Sequence, residues 1–212
     1  MLLFTPGLAK DPWSALAAAM PFVDAIQVRP KPIGDAEPTS NLHVSQARET
    51  CDLARKVLHM SAALGQDAPL VFVNDRVDVA RVLWEEGLAG VHVGQDDCPP
   101  HIARDCLGPG PLLGISTHNA SQAVHAAEEA VDYLGFGPIY TSPTKGYSKG
   151  LGPDRAWVVA ETFELPVFPI GGINALRAPE LQRVGRLVAG SAILGAIDPA
   201  AAAQELRRAL EP

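Results

Sequence analysis

A single (β/α)8 TIM barrel spanning residues 1–212 is the fold the sequence predicts, and three observations carry it. Short apolar runs rich in β-formers alternate with longer stretches of helical periodicity, and that alternation implies parallel strands joined by right-handed crossovers. Eight such units fit into 212 residues, a size that suits a compact barrel better than an open sheet. No linker or shift in composition divides the chain.

Taken in order, the strands are expected at Leu2–Phe4, Ala25–Arg29, Leu70–Asn74, Gly90–Val93, Leu112–Ile115, Tyr133–Gly135, Val167–Ile170 and Arg186–Ala189. Helical patterns fall between them at 45–64, 76–87 and 120–131, and a last helix, 199–212, closes the chain. Asn119 stands where an N-cap belongs, directly before Ala120 and Ser121. The Pro- and Gly-containing stretch 31–41 reads as a long loop after the second strand.

Composition sets the outer limits. The chain is 47% hydrophobic and 19% charged, the proportions of an ordinary folded protein, with a net charge of -7. A general nucleic-acid partner is excluded by that acidity, because such partners want a basic surface. Any anionic small molecule must be met by a few locally placed cations. No run approaches 18 apolar residues, so no membrane span is expected, and "MLLFTPGLAKDPW" lacks the pattern of a secretory signal. Cys51, Cys98 and Cys106 form an odd set that suggests no disulfide framework, and a cytoplasmic location is expected. His92, Cys98, His101 and Cys106 match no zinc-ligand spacing. A homo-oligomer is left open.

Polar groups gather where each expected strand ends: "QVRPK", "ND", "GQDD", "STHN", "YTSPTKGYSKGLG", "GG" and "GS". That is the face on which barrel enzymes build their sites. Side chains two apart on a strand share a face, so Gln27, Arg29 and Lys31 form one row while Ile26 and Val28 face the helices. A glutamine inside an apolar strand needs a partner, and a ligand supplies one. Asp75 and Asp97, with Asp96 beside the latter, stand at neighbouring strand ends, where two carboxylates can share a hard cation such as Mg2+. Asp75 is also placed to cap the helix starting near Val77. Gly172, Gly190 and Ser191 follow the last two strands, the usual place for a phosphate held by backbone amides. His118 reads either as a general acid or base or as a helix-start residue. The polar, cationic loop 140–152 is either a solvated linker or a lid that closes over an anion.

These segments, in this order from residue 25 to 195, resemble the thiamine phosphate synthase family: "QVRPK", "VNDRVDVA", "GVHVGQDD", "GISTHN", "YLGFGPIYTSPTK", "IGGI" and "GSAI". The resemblance implies a Mg2+-dependent barrel enzyme that joins a hydroxymethylpyrimidine diphosphate to a thiazole phosphate and releases pyrophosphate. It implies that Gln27, Arg29, Lys31, Asn74, Ser116 and Lys145 hold the pyrimidine diphosphate, with Arg29, Lys31, Ser116 and Lys145 serving the chemistry. Asp75 and Asp97 would hold the metal. Ser142, Pro143, Thr144, Gly172, Gly190 and Ser191 would hold the thiazole phosphate. The chain departs from the pattern at Pro30, where the family usually has Glu, at Gly190, which replaces a larger apolar residue, and in a longer interval from Asp75 to Gly90. The related thiazole tautomerases would lack "ND", the "GQDD" acids and the Thr-Lys pair of the loop, all kept here. A non-catalytic barrel that binds thiamine precursors is the third reading.

Overall fold

A computed structural model describes residues 1–30, 40–141 and 150–211, with side chains of the long second helix described from residue 45. The expected loop at 31–41 therefore lies almost wholly outside the described residues. Seven strands form one parallel sheet in sequence order: β1 (Leu2–Phe4), β2 (Ala25–Val28), β3 (Leu70–Asn74), β4 (Gly90–Val93), β5 (Leu112–Thr117), β6 (Tyr133–Phe136) and β7 (Val167–Pro169). Between and after them run α1 (Pro12–Ala19), α2 (Ser40–Ala62), α3 (Val77–Leu83), α4 (Pro100–Leu107), α5 (Ala120–Ala127), α6 (Pro153–Thr162), α7 (Ser191–Leu194) and α8 (Pro199–Arg208). The sheet is curled, and the fold is TIM-barrel-like.

The expected eighth strand is corrected. Arg186–Ala189 contributes two isolated parallel bridges, Ile170 to Val188 and Leu2 to Ala189, rather than a strand. Val188 meets Ile170 on one side and Ala189 meets Leu2 on the other, one bridge to each neighbour, so no run of consecutive pairs forms a ladder along this segment. Its backbone nevertheless spans the gap, since Val188 donates to Pro169 O at 2.8 Å and Leu3 donates to Ala189 O at 2.8 Å.

Local chemistry explains where the helices start. Pro occupies the first turn of α1, α4, α6 and α8, where its missing N–H costs nothing. Asp11, Asn119 and Asp198 cap α1, α5 and α8, each accepting from a backbone N–H three residues on. The expected helix 76–87 is α3 followed by a 3-10 turn at Trp84–Glu86, stopped by Gly87 in the left-handed region at φ 100°. The expected helix 120–131 ends earlier, at Ala127.

Alternation along the strands builds two cores. Ile26, Val28, Val91, Val93, Leu113 and Leu134 are buried between sheet and helices. Their neighbours point into the sheet's concave side, where Ala25, Phe72 and Tyr133 cluster with Met1, Leu112 and Phe168. Tyr133 packs edge-on against Phe72 and Phe168 at 5.6 and 5.4 Å. Glycine makes room for these rings. A Cβ at Gly114 would stand 2.1 Å from Tyr133, and one at Gly135 would stand 2.9 Å from His92.

Candidate active site

A cavity of about 410 Å3 opens at the C-terminal ends of the strands. Arg29 after β2, Ser116 on β5, Gly172 after β7, and Gly190 and Ser191 leading into α7 all line it. Five residues expected at the site from sequence thus meet in one place, although they are spread from 29 to 191. Two arginines, Arg29 and Arg177, line it and no carboxylate among the described residues does, in a protein whose net charge is -7. Neither arginine joins the ion pairs seen among the described residues, which are Arg55–Glu86, Arg76–Asp78, His101–Glu129, Arg104–Asp132 and Arg207–Asp24. Such a pocket favours an anion.

The other expected residues take different places. Gln27 is buried at 4% exposure, level with Leu3 and Phe72, one layer beneath the cavity. Asn74 is half-buried and paired in register with His92. Asp75 and Asp97 are exposed at the ends of β3 and β4. Asp75 has φ of 61°, the one positive φ at a non-glycine position among the described residues. A side chain held in that sparsely populated region is a mark of functional sites. The N-cap position of α3 is Arg76, one residue after Asp75, and the Arg76 side chain makes no cap bond. Asp97 Oδ2 accepts the Gly94 amide at 2.8 Å, which folds the "GQDD" turn back on itself. Gln95 donates to Ser116 O at 2.7 Å and ties that turn to β5. Lys31, Ser142, Pro143, Thr144 and Lys145 lie outside the described residues.

Two further residues belong to the site. His92, at 9% exposure, bridges Ser116 Oγ through Nε2 at 2.9 Å and the Tyr133 hydroxyl through Nδ1 at 3.2 Å. Burial pushes the Tyr133 phenol far up, so it stays protonated and able to donate. His92 alternates with buried Val91 and Val93 just as Gln27 alternates with Ile26 and Val28. The same strand-parity signal could have found it in the sequence. Arg177 is the second, reaching the cavity from the loop after β7. His118 also lines the cavity, with Nδ1 2.6 Å from Gly137 O, so that nitrogen carries a proton donated to a carbonyl. The residues weighed against zinc are not assembled: His92 is inside the sheet, Cys106 is exposed and His101 faces Glu129 at 4.0 Å.

Among the described residues no cluster of three or more His, Cys, Asp or Glu side chains could hold a metal by itself. The pair Asp75 and Asp97 offers hard carboxylate oxygens, the donor type that suits a cation also held by substrate phosphate.

The parallel sheet and its cavity at the strand C-termini, with no carboxylate among the described lining residues, define a TIM-barrel-like protein whose pocket suits an anion. Comparison with known proteins narrows the class. The family model described as thiamine monophosphate synthase matches residues 9–197. A thiamine-phosphate synthase of Mycobacterium sp. (strain KMS) is 41% identical over 207 residues, covering 96% of this chain and 86% of that one. One from Chloroflexus aurantiacus is 39% identical over 167 residues, covering 77% and 71%. The solved thiamine phosphate pyrophosphorylase of Pyrococcus furiosus superposes with a TM-score of 0.78 at 26% identity, covering 99% of this chain and 94% of that one. A 3-hexulose-6-phosphate synthase superposes at 0.62 with 18% identity, which shows shared fold alone. This chain belongs to the thiamine monophosphate synthase family.

Proposed function

We propose that the protein is a thiamine-phosphate synthase that condenses hydroxymethylpyrimidine diphosphate with thiazole phosphate and releases pyrophosphate. The observation that carries it is the cavity holding Arg29, Ser116, Gly172, Gly190 and Ser191 together, with no carboxylate among its described lining residues. Arg29, with Lys31 and Lys145, neutralises the departing pyrophosphate. Gln27, Asn74 and Ser116 orient the pyrimidine, and Ser116 is itself held in place by His92. Gly172, Gly190 and Ser191, with Ser142, Pro143 and Thr144, receive the thiazole phosphate. The substitution is dissociative. The pyrimidine-methyl cation is stabilised by its ring amino group, and the thiazole nitrogen attacks without a proton to lose. No general base is required, so the protein's contribution is charge placement and positioning. Asp75 and Asp97 are the side chains that would hold Mg2+, which supplies further charge neutralisation on the phosphates.

The bridges at Val188 and Ala189 support a complete eight-unit barrel, with residues 187–189 as its last stave, and one domain over 1–212. No helix among the described residues is long and apolar enough to cross a membrane, which supports a cytoplasmic enzyme acting on small molecules.

The test is incubation of the purified protein with both substrates and Mg2+. The expected products are thiamine phosphate and pyrophosphate in equal amounts. Absence of both would overturn the reading. Ser191→Asp should weaken thiazole phosphate binding much more than pyrimidine diphosphate binding, and equal effects would show that the two ends of the cavity are assigned the wrong way round.

A further inference from the structure

Arg177 sits in the loop after β7, outside every motif that identifies the family here. Its guanidinium is held by two contacts, and its backbone by two more. Nη1 donates to Gly172 O at 2.7 Å, and the guanidinium carbon lies 4.7 Å from the centroid of the Tyr140 ring. The Tyr140 hydroxyl donates back to the Arg177 carbonyl at 3.3 Å, and the Arg177 amide donates to Asn174 Oδ1 at 3.1 Å. Ring, loop and guanidinium thus form one closed unit against Gly172.

The fit at Gly172 is tight. With φ of 66° the residue is in the left-handed region, and a Cβ there would stand 2.9 Å from Tyr140 Cβ and 3.2 Å from Arg177 Nη1. A brace for the Gly172 carbonyl needs only one neutral donor. Arginine brings five N–H donors and a full charge, and it is half-buried in a cavity with no carboxylate among its described lining residues. Glu180 acts on the hydroxyl of Tyr140, yet Arg177 joins no ion pair among the described residues. A half-buried cation gives up hydration that only an anion in the cavity restores. Gly172, Gly190 and Ser191 share that end of the cavity with it.

We propose that Arg177 is a cationic ligand for the phosphate monoester of the thiazole substrate, selecting the phosphorylated thiazole over its free alcohol. The proposal rests on the thiamine-phosphate synthase reading and deepens it. A fixed guanidinium loses little conformational freedom on binding, and a charge-assisted contact to phosphate carries a tenfold to hundredfold effect on affinity, roughly.

The test compares wild type with Arg177→Met and Arg177→Lys. Arg177→Met should raise KM for thiazole phosphate about 10- to 100-fold. KM for the pyrimidine diphosphate and the inhibition constant of the unphosphorylated thiazole alcohol should stay within about twofold. Arg177→Lys should restore part of the loss, because it keeps the charge and gives up the fork. If phosphorylated and free thiazole weaken alike, Arg177 only braces Gly172 and the proposal falls. Failure of the underlying reading would look different, as absence of thiamine phosphate from the wild type. Titration of inorganic phosphate by calorimetry then decides: binding weaker by about tenfold or more in Arg177→Met supports the cationic contact, and equal binding overturns it.

Discussion

The two ends of the sheet's concave side have opposite characters. At the C-terminal end the cavity is lined by arginines, hydroxyls and glycine backbone. At the N-terminal end a second cavity of about 360 Å3 is lined chiefly by Phe22, Phe72, Leu112, Tyr133, Phe168 and Leu206. The few charges near the lower end include Arg104, Asp132, Arg207 and Asp24, and these are already satisfied. Arg104 pairs with Asp132 at 2.6 Å and caps the Gly108 and Pro111 carbonyls, and Arg207 pairs with Asp24 at 3.3 Å. Among the described lining residues the upper end has cations and no acids. The lower end pairs most of its charges, with Arg186 outside the ion pairs seen among the described residues.

That contrast can be broken from either side. The largest expected effect is on rate: Asp75→Ala or Asp97→Ala should cost about 10^3 in turnover at saturating Mg2+, an effect of the size seen on losing charge stabilisation. Melting temperature should hold, because both side chains are exposed. Full turnover in excess chelator would remove the metal from the account. Next is a stability effect at the opposite end. Phe72→Ala, at 3% exposure in the wild type, should cost about 3–5 kcal/mol and lower the melting temperature by roughly 10 °C. The folded fraction should keep its kcat/KM, and a matching loss of activity would show that the ends are not separable.

His92 tests the seam between them. Tyr133→Phe removes the hydroxyl that orients His92 and should lower kcat only about two- to fivefold, the scale of one neutral hydrogen bond. His92→Leu should act more strongly and mainly on the pyrimidine diphosphate KM, through Ser116. An unchanged KM in His92→Leu would make the contact incidental.

The smallest effect lies at the rim, where Arg76 donates to Asp78 and holds its carboxyl below the usual range. A lowered folded-state pKa stabilises the fold above the unfolded value, and that stability is lost as pH falls through the lowered one. Because Asp78 is 60% exposed, the contribution is under about 1 kcal/mol. Asp78→Asn should flatten the acid side of a melting profile by no more than that, without touching turnover.

Strand positions were legible where apolar runs met turn residues, and β1, β3 and β4 fall on their expected bounds. Residues 186–189 read as a strand because Leu187, Val188 and Ala189 are apolar, but composition does not reveal that each neighbour is met by a single bridge rather than a ladder. The site was legible where it followed strand ends, as with Arg29, Ser116, Gly172 and Ser191. Arg177 was not, because its meaning comes from Tyr140, which follows β6, and from its own loop folding back onto Gly172. His92 was hidden differently. The parity that exposed Gln27 applied to it equally, but its neighbours Cys98 and His101 suggested metal chemistry first.

Amide NMR titration with thiazole phosphate and, separately, inorganic pyrophosphate tests the division of the molecule most directly. Shifts should concentrate on Gly172, Gly190 and Ser191 for the first ligand, and on Arg29 and Ser116 for the second. Phe72, Phe168 and Leu206 should not move. Shifts centred on those three lower residues, with the glycines at the upper end unmoved, would contradict the assignment of chemistry to the C-terminal face.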